Sequence, residues 1–193
     1  MNDSAMNDIP ERYMRIKEVT EEMRFNMASD VYTGSLLKTL AASKPGGRLL
    51  ELGTGTGLAT AWIVAGMDKN SCLVTIENNE LFIDVARKNI NDKRVDFFLT
   101  DGYEWIKKYV GEKFDFIFAD AMPGKYDLFE ETISLLNVGG FYIIDDMLPQ
   151  PNWPQGHDEK VAAFISMLEN RKDLLLTKLN WSTGIIIITK ANK

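Results

Sequence analysis

The sequence has almost no cysteine, and this scarcity limits the chemistry open to it. Cys72 is the only cysteine among 193 residues, so neither an intramolecular disulfide nor a cysteine-based metal site can form. The residue lies in the apolar run from 72 to 76, which predicts an inert residue in the core. Any function must depend on other side chains.

Long hydrophobic runs are missing as well. No apolar run approaches about 18 residues, and the first ten residues lack the basic start and hydrophobic stretch of a signal peptide. We expect a cytoplasmic protein with no membrane partner. Because no Pro/Gly/Ser-rich linker divides the chain, we predict one domain over 1–193, with a poorly ordered start (1–9), leading helices (10–45) and a core (46–193).

Positive charge is in deficit. The chain has 22 Lys and Arg against 28 Asp and Glu, a formal net charge of -6 and a pI near 4.9. This balance argues against a general nucleic-acid or membrane-surface binder and favours a small-molecule partner. It argues only weakly against tRNA, since a local basic patch would suffice for binding.

Glycine, in contrast, occurs at three of five consecutive positions in one segment. Residues 48–60 read RLLELGTGTGLAT, an apolar run followed by Gly53, Gly55 and Gly57. This pattern predicts a buried strand that turns into a helix, with a backbone open to positive φ and to close approach by a ligand. The spacing differs from the dinucleotide fingerprint, whose third glycine position is Leu58 here. The alternative is a turn that only connects a strand to a helix.

Strands and helices alternate from this point onward. The pattern predicts strands at 48–52, 72–77, 95–99, 114–119 and 139–145, and helices at 57–66, 79–90, 102–109 and 125–136, which together imply a parallel doubly wound sheet. A helix around 161–168 follows, and then strands at 174–179 and 185–189 joined by a short turn. Two helices, one from Pro10 with Ile16, Val19, Met23 and Met27 on one face and one over 29–42, precede the sheet and make a homodimer plausible.

The segment Glu51–Gly57, E-x-G-x-G-x-G, resembles the first motif of class I S-adenosylmethionine-dependent methyltransferases. The resemblance implies an α/β, Rossmann-like fold: a seven-stranded, mostly parallel sheet with an antiparallel C-terminal hairpin and helices on both faces. It also implies S-adenosylmethionine as cofactor, with its methionine part held by the motif. The implied contact residues are Glu51, Gly53, Thr54, Gly55 and Gly57.

Two acidic positions at later strand ends extend this site. Glu77 lies at the end of the second strand, where a carboxylate can accept hydrogen bonds from both ribose hydroxyls of an adenosine; the alternative is an ordinary surface glutamate. Asp101 and Gly102 follow the third strand, where the resemblance places contacts to the adenine ring. Asp101 is alternatively only the cap of the next helix.

Three aspartates follow two further strands. Asp120 comes directly after FDFIFA, and Asp145 and Asp146 directly after FYII. Carboxylates at neighbouring strand exits suit a hard divalent cation such as Mg²⁺ or Mn²⁺. The alternatives are a helix cap for Asp120 and the start of a loop for the pair.

The segments FDFIFADAMPGKY and IIDDMLPQP resemble the cation-dependent catechol and caffeoyl-coenzyme A O-methyltransferases. The resemblance implies metal ligation by Asp120, Asp145 and Asp146, with Asp120 also in contact with the cofactor. It further implies a small-molecule hydroxyl as methyl acceptor. The family's asparagine is Asp146 here, and its lysine position is Pro123. Lys125 is the candidate substitute as a catalytic residue beside Asp120, although a solvated surface lysine is the usual expectation.

The loop at 147–157 contains three prolines, a tryptophan and the only histidine, which is typical of a semi-rigid lid near a substrate. For His157 itself we expect a capping or exposed side chain, with a role as base or ligand as the alternative. Three functional alternatives remain: a tRNA hydroxyuridine O-methyltransferase, a cofactor-binding module without catalysis, and an NAD-dependent dehydrogenase. Leu58 and the terminal hairpin count against the dehydrogenase.

Overall fold

The protein is built around one seven-stranded sheet, described for residues 8–191 by a computed structural model. The strands are β1 (Arg48–Leu52), β2 (Cys72–Glu77), β3 (Val95–Leu99), β4 (Phe114–Ala119), β5 (Leu136–Ile144), β6 (Leu174–Leu179) and β7 (Ile185–Lys190). They lie in the order β3-β2-β1-β4-β5-β7-β6, and β7 alone runs in the direction opposite to the other six strands. The predicted fold class, with its antiparallel C-terminal hairpin, is confirmed.

Helices cover both faces of the sheet. They are α1 (Glu11–Glu22), α2 (Val31–Ala42), α3 (Leu58–Gly66), α4 (Glu80–Ile90), α5 (Gly102–Lys108), α6 (Met122–Lys125), α7 (Phe129–Ser134) and α8 (His157–Glu169). None of the helices in residues 8–191 has the length and apolar character needed to cross a membrane.

The strands divide the core into two layers because successive side chains point to opposite faces. On one face, Leu50 of β1 and Ile117 of β4 pack with residues from α5, α7 and α8. On the other, Leu49 and Phe116 pack with residues from α1, α2 and α3. These alternating, fully buried positions on the central strands hold the carboxyl ends of β1, β4 and β5 in fixed register.

The two leading helices belong to this second layer. Gly34 of α2 lies flat against the Trp62 indole, where an added Cβ would come within 2.3 Å of the ring. Tyr13 of α1 also contacts Trp62, edge to face. Most apolar residues of these helices are therefore used inside the fold, and the homodimer stays a prediction.

The structure differs from the sequence prediction in several places, among them the start of β5, which lies at Leu136 and not at 139. The first helix ends at Glu22, so Met23 and Met27 lie beyond it, and Met27 is 64% exposed. The helix expected at 125–136 is reduced to α7, because Leu128, the residue directly before α7, has a positive φ of 56°. Residues 1–7 of the start predicted to be poorly ordered lie outside the described range, while Ile9 packs on the core.

Candidate active site

The strand register brings the predicted site residues together. Leu52 pairs with Ile76 of β2 and with Ala119 of β4, and Ala119 pairs with Ile144 of β5. The residues that follow these positions therefore leave the sheet side by side. Gly53, Glu77, Asp120 and Asp145 thus meet at the carboxyl edge, where open α/β sheets bind ligands.

The glycine turn has the backbone that its sequence predicts. Gly53, Gly55 and Gly57 have φ values of 99°, 51° and 96°, all in the region that disfavours side chains. A Cβ on Gly53 would come within 2.7 Å of the Asp120 carbonyl oxygen. The turn at Gly53 thus lies directly against the exit of β4, so the glycine is required by close packing as well as by φ.

Glu51 supports this turn from behind. Its side chain is completely buried, and one carboxylate oxygen, Oε2, accepts hydrogen bonds from Thr60 at 2.7 Å and Thr75 at 2.5 Å. Thr75 also shares a hydrogen bond of 2.5 Å with Thr54 of the turn. Burial raises the pKa of Glu51 to about 7. With no exposed surface, Glu51 holds the turn in place, and the expectation that it contacts the cofactor directly does not match this arrangement.

Glu77 lies in front of the turn. Its Oε2 accepts a hydrogen bond from the Gly55 amide at 2.8 Å, and its Oε1 accepts from the amides of Asn78 and Asn79. The carboxylate therefore has a fixed position on the cavity wall. It is not the freely solvated surface glutamate of the alternative interpretation.

Two adjoining clefts of about 240 and 280 Å³ open at this turn and share Gly53, Glu77, Asn78 and Ala121. Thr54 and Gly55 line the first, and Asp101 and Gly102 line the second. Asp101 also caps α5, accepting hydrogen bonds from the amides of Tyr103 and Glu104. Asp101 can therefore both cap α5 and border a ligand in the second cleft. Together the two clefts form an elongated site. Gly57 begins α3 behind the first cleft and packs against Ala86.

The three aspartates line a third and larger cavity of about 590 Å³. Burial, and then the neighbouring Asp145, raises the pKa of Asp120 well above its usual value. Burial and Asp146 raise the pKa of Asp145 to about 6. Asp120 is no helix cap, because Ala121 occupies that position. Asp145 is fixed by hydrogen bonds from the Thr183 hydroxyl and the Asp146 amide.

Lys125 differs most from its expected position. Its ammonium Nζ lies 3.9 Å from Asp120 Oδ1 and 4.0 Å from Asp146 Oδ2, and its side chain is only 6% exposed. The expectation of a solvated lysine is therefore wrong. The chain buries this residue because Gly124, at φ 85°, turns the backbone toward β1 immediately before it.

The three aspartates and Lys125 set the charge and the ligand atoms available to a divalent cation in the large cavity. When all three carboxylates are ionised, they and the ammonium group of Lys125 together carry a charge of about -2, and carboxylate oxygens are the ligands that Mg²⁺ prefers. Charge and ligand chemistry therefore fit such an ion. Within residues 8–191, however, no three acidic, histidine or cysteine side chains stand in a ready coordination group. Lys125 supplies part of the compensating charge instead.

The segment between α1 and α2 lines the first cleft at the glycine turn and the large aspartate cavity. The sequence analysis did not identify this segment as part of the site. Phe25 packs against Phe82, with ring centroids 4.5 Å apart and the ring planes tilted by 43°, and lies over Gly55. Ser29 donates a hydrogen bond to Asp120 Oδ2 at 3.2 Å. Thr20 of α1 also shares a buried hydrogen bond of 2.7 Å with Thr56 of the glycine turn. No local periodicity marks these residues, because their partners are far away in the chain.

Loop 147–156 forms the opposite wall of the large cavity. Gln150, Trp153 and Pro154 line it, together with Tyr126 and His157. The structure therefore places this loop beside the aspartates, where the sequence suggested a lid. The Tyr126 hydroxyl is buried without a hydrogen-bond partner in the described residues, and burial raises its pKa to about 12.

The sheet order, the glycine turn and the acidic residues at the ends of β2 and β4 define a class I methyltransferase fold. Solved structures of this class superpose closely. A Bacillus cereus O-methyltransferase in complex with SAH gives a TM-score of 0.83 at 21% identity, with 97% of this chain and 94% of that chain covered. The Streptomyces achromogenes O-methyltransferase of tomaymycin synthesis, in complex with SAM, gives 0.82 at 21%, covering 98% and 93%.

The chain belongs to the O-methyltransferase family, whose model matches residues 3–180. A Mycobacterium ulcerans protein predicted to be an O-methyltransferase is 28% identical over 117 residues, which are 58% of this chain and 52% of that protein. The matching region thus spans about half the length of such curated relatives.

Proposed function

We propose that this protein is an S-adenosylmethionine-dependent O-methyltransferase acting on a hydroxyl group of a small molecule. The observation that carries the proposal is the meeting of two cavities. The cleft at the glycine turn and the large aspartate cavity share Asp120, Ala121 and the segment 27–29. A methyl donor in the first would therefore face an acceptor in the second across Asp120.

The cofactor fits the first two clefts by chemistry. Glu77 would accept hydrogen bonds from the ribose hydroxyls, since its carboxylate is fixed by three backbone amides. The positive-φ glycines remove Cβ atoms where the methionine part would lie. Asp101 and Gly102 would border the adenine in the second cleft.

Methyl transfer needs an acceptor oxygen in line with the sulfonium methyl and a means of removing its proton. Lys125 is an ammonium group between two carboxylates, so it would stabilise negative charge that develops on the acceptor oxygen. Asp120 would hold Lys125 and Ser29 in place at the junction of the cavities. Asp120, Asp145 and Asp146 would bind a divalent cation that supplies Lewis acidity to the acceptor.

The test combines calorimetry with a product screen. We expect SAM and SAH to bind the wild type, and Glu77→Ala to weaken both. Methyl-labelled SAM is then incubated with a panel of phenols and aliphatic alcohols, with and without Mg²⁺ and with a chelator. Absence of SAM binding would refute the proposal. Binding without transfer to any acceptor would favour a non-catalytic module, and labelling of added tRNA instead would change the acceptor class.

Activity that requires Mg²⁺ would support metal assistance, and activity that survives the chelator would assign charge stabilisation to Lys125 alone. Asp145→Asn is the informative variant, because it removes one carboxylate that does not line the cleft at the glycine turn. We expect it to weaken the metal response and to leave SAM affinity unchanged.

A further inference from the structure

The only histidine of the chain lies in the wall of the large cavity. His157 is the first residue of α8, and its ring stands edge to face with Trp153 and with Tyr126, at centroid distances of 4.7 and 5.2 Å. Two aromatic contacts on different elements fix the plane of the imidazole. The ring is thus held beside the acceptor cavity and is not simply a capping or exposed side chain.

The carboxylates and the lysine of this wall are already engaged. The Tyr126 hydroxyl, unpaired within the described residues, is a poor proton acceptor, because burial raises its pKa to about 12. Asp120 accepts a hydrogen bond from Ser29, Asp145 accepts two hydrogen bonds, and Lys125 is paired with carboxylates. The imidazole nitrogens of His157, in contrast, have no hydrogen-bond partner within residues 8–191. His157 therefore retains the capacity to accept a proton from a molecule in the cavity.

The surrounding charges favour a neutral ring. Partial burial, Lys125 and Lys160 lower the pKa of His157, against a smaller opposite effect of Asp146 and Asp158. These four residues are the charged groups that act on the ring, from α6, α8 and the exit of β5. A neutral imidazole at physiological pH is the form that can take up a proton.

We infer that His157 is the general base of methyl transfer and removes the proton of the acceptor hydroxyl. The inference rests on the proposed function. An oxygen lone pair forms the new O–CH₃ bond, the electrons of the S–CH₃ bond return to sulfur, and the hydroxyl proton passes to His157 and then to water. Lys125 stabilises the negative charge that develops on the acceptor oxygen.

The kinetic test uses two acceptors of different acidity, catechol and 4-nitrocatechol, whose nitro group makes one hydroxyl ionise near the assay pH. For His157→Gln we expect kcat on catechol to fall about 100-fold with little change in KM, the range typical of a lost general base. On 4-nitrocatechol the fall should be less than about threefold, because the proton is already gone. Glu159→Gln, an exposed change in the same turn of α8, is the control for both.

Two further readouts separate a base from a packing residue. Added imidazole should restore part of the catechol activity of His157→Ala, and the acidic limb of the wild-type kcat/KM profile should disappear in His157→Gln. As the only histidine, His157 gives one set of ring NMR signals, which should shift when SAH and 4-nitrocatechol are added together. Loss of rate by the same factor on both phenols, without rescue, would overturn the inference.

Failure of the proposed function gives a different pattern. Wild-type protein would then bind no SAM in calorimetry, and the inference would fall with it. If SAM binds but neither phenol is methylated, unchanged ring signals of His157 with SAH and 4-nitrocatechol present would overturn the base assignment. Shifted signals in that case would support contact with the acceptor.

Discussion

Replacing Lys125 with methionine should lower the free energy of unfolding by about 3 kcal/mol at about pH 8. The ammonium lies 3.9 Å from Asp120 Oδ1, and these side chains are 6% and 13% exposed. At that distance, with an effective dielectric constant of about 20, the attraction is roughly 4 kcal/mol. Asp146 is 39% exposed and adds less than about 1 kcal/mol because water screens it. The desolvation cost of the ammonium offsets part of this total.

The destabilisation should depend on pH. Burial and Asp145 already raise the pKa of Asp120, and loss of Lys125 would raise it further. The folded state then holds a proton that the unfolded state releases, so stability is lost as pH rises. Urea unfolding at about pH 5 and pH 8 should therefore show the smaller loss at the lower pH.

The double variant Lys125→Met/Asp120→Asn should recover most of the lost stability, because no uncompensated buried carboxylate remains at position 120. Lys160→Met is the matched control, since Lys160 pairs with Asp127 at a half-exposed site, and we expect it to cost less than about 1 kcal/mol. An equal loss at both pH values without recovery in the double variant would refute the electrostatic reasoning. Lys125 would then contribute by packing alone.

The variant Lys125→Met also tests whether the three aspartates bind a divalent cation. With the lysine removed, the three carboxylates carry more uncompensated charge, so Mg²⁺ should raise the melting temperature more in Lys125→Met than in the wild type. No shift in either protein at millimolar Mg²⁺ would mean that these aspartates hold no ion.

Three further predictions follow from the site. Glu77→Ala should weaken SAM binding by about 1–3 kcal/mol in calorimetry. The control variant Glu80→Ala, at an exposed position, should leave the SAM affinity unchanged. Gly53→Ala should lower the melting temperature well below that of Gly139→Ala, whose φ is also positive but whose Cβ has open space; equal shifts would contradict the clash. Because burial raises the pKa of Glu51 to about 7, wild-type stability should fall as pH rises from about 5 to 7, and Glu51→Gln should flatten this slope in urea titrations.

Much of the fold was predictable from local pattern. All five strands from β1 to β5 were predicted, four of them with the correct bounds, because buried parallel strands are short apolar runs between turn residues. The glycine turn was equally clear, since three glycines in five residues have a specific backbone meaning. The break between α6 and α7 was not predicted, because a positive φ at Leu128 is imposed by its surroundings.

The sequence by itself determined the strands of a mostly parallel sheet with its antiparallel hairpin, the glycine turn, and the set of acidic residues at strand exits. Only the tertiary structure decided how these residues are used. It placed Glu51 behind the turn, buried Lys125 among carboxylates and brought Ser29 and His157 to the same cavity. Periodicity reports which face of an element is buried, whereas charge compensation and cavity walls depend on residues far apart in the chain that meet only after folding.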